Sequence, residues 1–207
     1  MNIRDLTPEQ RVRWVRNILE NCEHYEWTVQ GFGFMRAKLS GARVHIWDSS
    51  LRTPHVSDVH THPWPFTSTI ISGELVNLRY YSLYASSSAR INTMPYHCQQ
   101  IQTGEGGGLI GEPDMCMLAA GSAEMYTSSA ILKGDIPSYS QESNEIHRTV
   151  AADGTVTLLE RPQGPPDERA VVYWPLGASW ISAEPRPATP DEVERVISYA
   201  LVRWFQR

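Results

Sequence analysis

Residues 58–75 read DVHTHPWPFTSTIISGEL. His60 and His62 stand one residue apart, and Pro63, Trp64, Pro65 and Phe66 follow at once. On a strand, residues i and i+2 point to the same side. His-x-His in this setting aims two neutral nitrogen ligands at one place, beside a wall of prolines and aromatics. The β-branched run from Phe66 to Ser72, with Gly73 after it, reads as a strand and a tight turn. A strand carrying metal-type ligands asks for a third imidazole elsewhere in the chain and a β-rich fold to hold it.

The rest of the sequence supplies that fold. FGFMRAKL, ARVHIW, ELVNLRYYSLY, EIHRTVA, TVTLLER and AVVYWPL are rich in β-branched and aromatic residues and are punctuated by Gly, Pro, Asp and Ser. Ser72-Gly73-Glu74-Leu75 and Asp153-Gly154 read as hairpin turns. Helices are expected at the two ends only. Thr7, Pro8 and Gln10 give the first a cap, a preset first turn and a capping box, and Thr189, Pro190 and Glu192 repeat the pattern. The helices are placed at 7–22 and 189–206, with Arg11, Arg13 and Arg16 on a solvated face. Many short strands between terminal helices predict an all-β sandwich or barrel in one domain, 1–207. The stretch 86–125, with its serine run and the GEGGG of residues 104–108, lacks periodicity and reads as an insertion or lid over one end. GEGGG has neither the spacing nor the Lys-Ser/Thr of a phosphate loop.

Composition narrows the class. The 207 residues fill one domain with a full core, and the apolar and charged fractions, 41% and 20%, are ordinary for a globular chain. A net charge of −5 argues against nucleic acid as a partner. No apolar stretch approaches the roughly 18 residues of a membrane span, and the start, MNIRDLTPEQRVRW, lacks the apolar segment of a signal peptide. Cys22, Cys98 and Cys116 are odd in number and share no metal-type spacing, which points to a reducing, cytoplasmic setting. The two lysines, Lys38 and Lys133, leave little room for Schiff-base chemistry.

His147, near the start of the strand EIHRTVA, is the best third ligand. With it, the pattern resembles the cupin superfamily, whose first motif has the form G-x5-H-x-H-x3-4-E-x6-G and whose second is G-x5-P-x-G-x2-H-x3-N. His60 and His62, three residues, Phe66, six residues and Gly73 reproduce the spacing of the first, and His147 stands for the histidine of the second. Phe66 takes the place of the family's glutamate, and Glu142 and Asn144 replace its Pro and Gly. The resemblance covers 43–174. It implies a double-stranded β-helix, or jelly-roll barrel, and a metal held by three histidines, as in the cupin thiol dioxygenases. Three ligands with open positions are the arrangement of a catalytic site.

The expected function is therefore a metal-dependent enzyme, with iron(II) foremost and zinc, manganese or nickel as alternatives, that oxygenates a small organic substrate. Metal-assisted isomerisation or hydrolysis is the second reading and a non-catalytic binding barrel the third. Trp64, Phe66 and Tyr81 would line a dry pocket. Counting outward from the two turns sets His147 opposite Glu160, Ser68 opposite Arg79 and Phe66 opposite Tyr81. Opposed residues share a face, so Ser68, Arg79, Tyr81, Glu145 and Glu160 are expected to point inward. Arg79 would clamp an anionic group, and Glu160 or Glu145 would act as orienter, fourth ligand or general base. An internal Arg–Glu ion pair is the alternative. A homodimer is expected, hiding outward apolar side chains such as Ile71 and Leu78, unless the helices cover those faces within one monomer.

Overall fold

Ala42, Val44 and Ile46 alternate with Arg43, His45 and Trp47 along one strand, and this alternation separates the two sides of the structure. The first three pack beneath helices; the others face a second set of strands. The computed structural model describes residues 3–83, 93–101, 108–128, 137–162, 169–179 and 185–206.

The first helix, α1 (Pro8–Glu20), and the last, α2 (Pro190–Phe205), both begin with the capping box read from the sequence. Gln10 N–H donates to Thr7 Oγ1 and Thr7 N–H to Gln10 Oε1; Glu192 and Thr189 repeat the exchange. Caps of this kind contribute about 1 kcal/mol each. Among the described residues thirteen strands lie between them: β1 (Trp27–Gln30), β2 (Phe34–Leu39), β3 (Ala42–Trp47), β4 (Val59–His60), β5 (Phe66–Ser72), β6 (Glu74–Leu83), β7 (Thr93–Ile101), β8 (Leu109–Thr127), β9 (Ser138–Gln141), β10 (Ile146–Ala151), β11 (Val156–Glu160), β12 (Ala170–Pro175) and β13 (Arg186–Pro187).

They form two antiparallel layers. Seven strands make an open sheet in the order β13-β1-β2-β3-β11-β5-β9, and six close on themselves in the order β10-β4-β12-β7-β8-β6. Val15, Ile18 and Leu19 of α1 and Val196, Ile197 and Ala200 of α2 pack with Met35, Val44, Ile46 and Leu158 on the outer side of the open sheet. Each of the larger side chains contributes about 1.5–3 kcal/mol by leaving water. Ile71, expected to face a partner subunit, is 2% exposed within this core, because the helices cover its face. Trp64, Phe66, Ile70 and Leu159 of the open-sheet layer meet Leu75 and Ala151 of the ring in a second cluster between the layers.

The segment read as an insertion or lid is in large part sheet. Residues 93–101 and 109–125 lie in β7 and β8, paired with each other, and β8 also pairs with β6. Its polar and small residues alternate on a ribbon with much solvent exposure, so no apolar period marks it in the sequence. Residues 86–92 and most of GEGGG lie outside the described residues, as does most of the PQGPPDE loop. No helix among the described residues is long and apolar enough to cross a membrane. The three cysteines are free thiols.

Both tight turns are present, but neither joins two strands of one sheet. β5 pairs with β11 and β9, whereas β6 pairs with β10 and β8. At Gly73 and again at Asp153-Gly154 the chain crosses from one layer to the other. Gly73 (φ +92) and Gly154 (φ +80) take left-handed conformations that L side chains rarely adopt. The two crossings brace each other through Thr155, whose Oγ1 accepts from Glu74 N–H and donates to Glu74 O.

Candidate metal centre

The ring closes through one residue pair, His60 of β4 opposite His147 of β10. That seam is where the histidines meet. β4 is only two residues long, and the chain beyond it is tied down on both sides. Thr61 N–H donates to Val171 O of β12, and His62 N–H donates to Ser143 O just before β10. His62 thus returns to the side of His60, their ring centroids 4.7 Å apart. One nitrogen from each of His60, His62 and His147 lies within 4.8 Å of the others. Three imidazoles close together in this way can hold a metal ion.

The hydrogen bonds around them fix which nitrogen is free. Asp58 O accepts from His60 Nδ1 at 2.9 Å, and a carbonyl only accepts, so the proton sits on Nδ1 and Nε2 keeps its lone pair. Asn77 Nδ2 donates to Gln141 Oε1, which turns Asn77 Oδ1 toward His147 Nδ1 at 2.9 Å. His147 therefore also carries its proton on Nδ1. Its Nε2 lies 2.9 Å from His62 Nε2. Two nitrogens each about 2.1 Å from a common ion and set at right angles would stand about 3 Å apart. The donor set could hold a metal ion, with outer hydrogen bonds of the kind that orient ligating histidines.

The surroundings keep these rings neutral. Burial pushes His60, His62 and His147 below the ordinary histidine value of 6.5; the other two histidines and Arg43 add to this at His62, as do His60 and Arg79 at His147. At His60 the Asp58 carbonyl and carboxylate pull the other way without reversing the shift. Neutral imidazole is the form that binds metal. The unfolded chain takes up protons near 6.5 while the folded one resists, so stability is full above that value and falls below it. In denaturant titrations, the metal-free protein is expected to hold its midpoint between about pH 7 and 8. Below about pH 6.5 it should lose up to about 1.4 kcal/mol per pH unit for each histidine still kept neutral.

Aromatic rings flank the cluster. Phe32 stacks on His60 at 5.1 Å, and Phe66 and Trp64 pack 4.6 and 5.0 Å from His62. Trp64 and Phe66 are 6% and 4% exposed, so both belong to the wall of the site.

The remaining residues named from sequence fall differently. Because β10 and β11 lie in different layers, His147 opposes Arg79 of β6, while Glu160 opposes Ala42 and Thr67. Glu160 shares a face with Val156 and Leu158 and turns toward the helices, where Arg11 Nη1 meets its carboxylate at 2.6 Å. Arg11 is thus not a solvated residue, and Glu160 does not join the histidines. Arg79 is on the histidine side, but its Nη1 donates to Glu145 at 2.9 Å and its Nη2 to Ser140 O. Glu145 spends its second oxygen on Glu142 N–H. The pair neutralises itself beside the centre. Phe66 opposes Gln141 rather than Tyr81. Tyr81 lies one residue past the last β6–β10 pair and is 60% exposed, away from the cluster. Ser68 is buried on the inner face opposite Leu159 and Tyr139.

Sequence reasoning missed Asn77, Gln141 and Asp58, and also Arg36, Arg43 and His45 on the inner face of β2 and β3. The last group had a legible signal, since polar residues at alternate positions of an apolar strand mark one face. No family model matches the chain, and no curated protein matches it significantly; its chemistry is read from its own residues.

Proposed function

We propose that this chain is a cupin-type metal-dependent enzyme, a mononuclear iron oxygenase for a small anionic organic substrate. The observation that carries the reading is the three converging imidazoles, two with their Nδ1 protons held so that Nε2 faces the common point. Iron(II) held by His60, His62 and His147 would supply redox chemistry and coordination positions that the protein leaves open. Three neutral ligands with no carboxylate leave a dication uncompensated, which favours an anionic partner over a neutral one. Trp64, Phe66 and Phe32 keep water from the site and strengthen electrostatic interactions within it. Asn77 and the Asp58 carbonyl hold the ligand rings in orientation. The Arg79–Glu145 pair stands beside His147 and positions the β6–β10 seam.

Elemental analysis of protein purified without chelator, followed by oxygen-consumption screening with small organic acids, tests this. Stoichiometric iron with substrate-dependent oxygen uptake is the expected result. Zinc, manganese or nickel without oxygen uptake would favour isomerisation or hydrolysis, and no metal after reconstitution would overturn the enzyme reading.

A further inference from the structure

The inner face of β2 and β3 carries charge that nothing among the described residues balances. Arg36, Arg43 and His45 alternate with Met35, Ala37, Val44 and Ile46, whose side chains lie in the helix-covered core. They therefore face the ring and the histidine centre. Arg36 stands directly opposite His45, and Arg43 is the next inward residue of β3. Arg36 is 9% exposed and His45 7%, yet Arg36 Nε and His45 Nε2 have no hydrogen-bond partner. The Arg43 guanidinium lies 4.7 Å over Trp64, which itself packs against His62. This links the basic wall to the metal centre.

The nearby carboxylates are already engaged: Glu145 with Arg79, Asp58 with Arg52 and Arg148, and Glu160 with Arg11 on the far side of the sheet. Among the described residues no carboxylate pairs with Arg36 or Arg43. Burial pushes both guanidinium groups down, Arg43 to about 9, with Arg36 and Arg161 adding to the effect on Arg43. That value still leaves Arg43 charged at neutral pH. A buried charge without a carboxylate is costly, and buried Arg36 beside half-buried Arg43 makes a site for an anion to complete.

We propose that Arg36 and Arg43, with His45, form the substrate-recognition wall of this site and take a small organic molecule bearing two negative charges. Two guanidinium groups offer planar forks that match carboxylate or phosphate oxygens, and two uncompensated charges call for a dianion rather than a monoanion. Calling that dianion the substrate rests on the enzyme reading above; binding it does not, since no metal is needed for the contact.

The test therefore uses the metal-free chain, titrated calorimetrically with malonate, succinate, inorganic phosphate and acetate. At least one dianion is expected to bind tenfold or more tighter than acetate, and the tighter of the dicarboxylates or phosphate identifies the preferred group. Arg36→Met and Arg43→Met should each weaken that dianion tenfold or more. Arg36→Met should also keep or raise the melting temperature of the free protein, because no carboxylate pairs with the charge removed, whereas Arg43→Met also loses the contact with Trp64; a folded variant with lost affinity separates recognition from structure. Absence of dianion binding by the unaltered protein, equal affinity for acetate, or unchanged affinity in both methionine variants would overturn the proposal. A protein that binds the dianion but never binds metal would overturn the iron reading and leave this one standing.

Discussion

Replacing His147 by alanine is expected to abolish metal binding in a protein that remains folded. His147 supplies one of three imidazole nitrogens, is buried, and stands at the single residue pair that closes the ring. Two remaining nitrogens do not make a catalytic donor set, so metal per chain after dialysis should fall to background. Alanine at His60 or His62 should do the same. Asn77→Ala separates orientation from ligation. It keeps all three ligands but frees the His147 ring, and outer partners of this kind are worth about 10–100-fold in metal affinity. The fold has a cost to bear as well, since removing either partner of the His147–Asn77 bond leaves a buried polar group unsatisfied, at about 1–3 kcal/mol. Metal titration together with circular dichroism reads both quantities. Retention of full metal content in all three histidine variants would remove the site from these residues.

The largest loss of stability is expected from Gly73→Ala. A Cβ at Gly73 would lie 2.4 Å from Thr155 Oγ1 and 2.7 Å from Thr155 Cα. The Oγ1 contact could relax by rotation, but the Cα belongs to the other crossing turn and moves only with the backbone. The left-handed φ of +92 adds strain of its own. Together these should cost about 3 kcal/mol or more, read as a shift of the urea midpoint. Gly108, whose would-be Cβ meets nothing within 4 Å among the described residues beyond its chain neighbours, is the matched control, and Gly108→Ala should change the midpoint little. A small effect at Gly73 would mean that the two crossings are not packed against each other.

The uneven legibility of the site follows from what each residue depends on. His60 and His62 could be paired from their spacing, although β4 ends at His60 and it is the bond from His62 N–H to Ser143 O that returns His62 to the same side. The capping boxes of α1 and α2 were legible because Thr7 with Gln10, and Thr189 with Glu192, are local contacts. Glu160 was misplaced although its strand was correctly read. The count from Asp153-Gly154 assumed that the strands on either side pair with each other, and they pair instead with strands distant in sequence. Arg79 reached the histidine side by a different partner from the one counted, His147 rather than Ser68.

By itself, then, the sequence determined most of the elements: terminal helices, the short strands outside 86–125, and glycine at two sharp turns. These depend on backbone preference and on neighbours a few residues away. Only the tertiary structure decided which layer each strand joined. That choice turned Glu160 toward Arg11, brought His147 opposite His60 across 87 positions of chain, and left Arg36 and Arg43 facing inward without a carboxylate. A turn fixes the direction of the chain over four residues, whereas layer membership is set by the burial of whole faces, and that free energy exists only once distant strands have met.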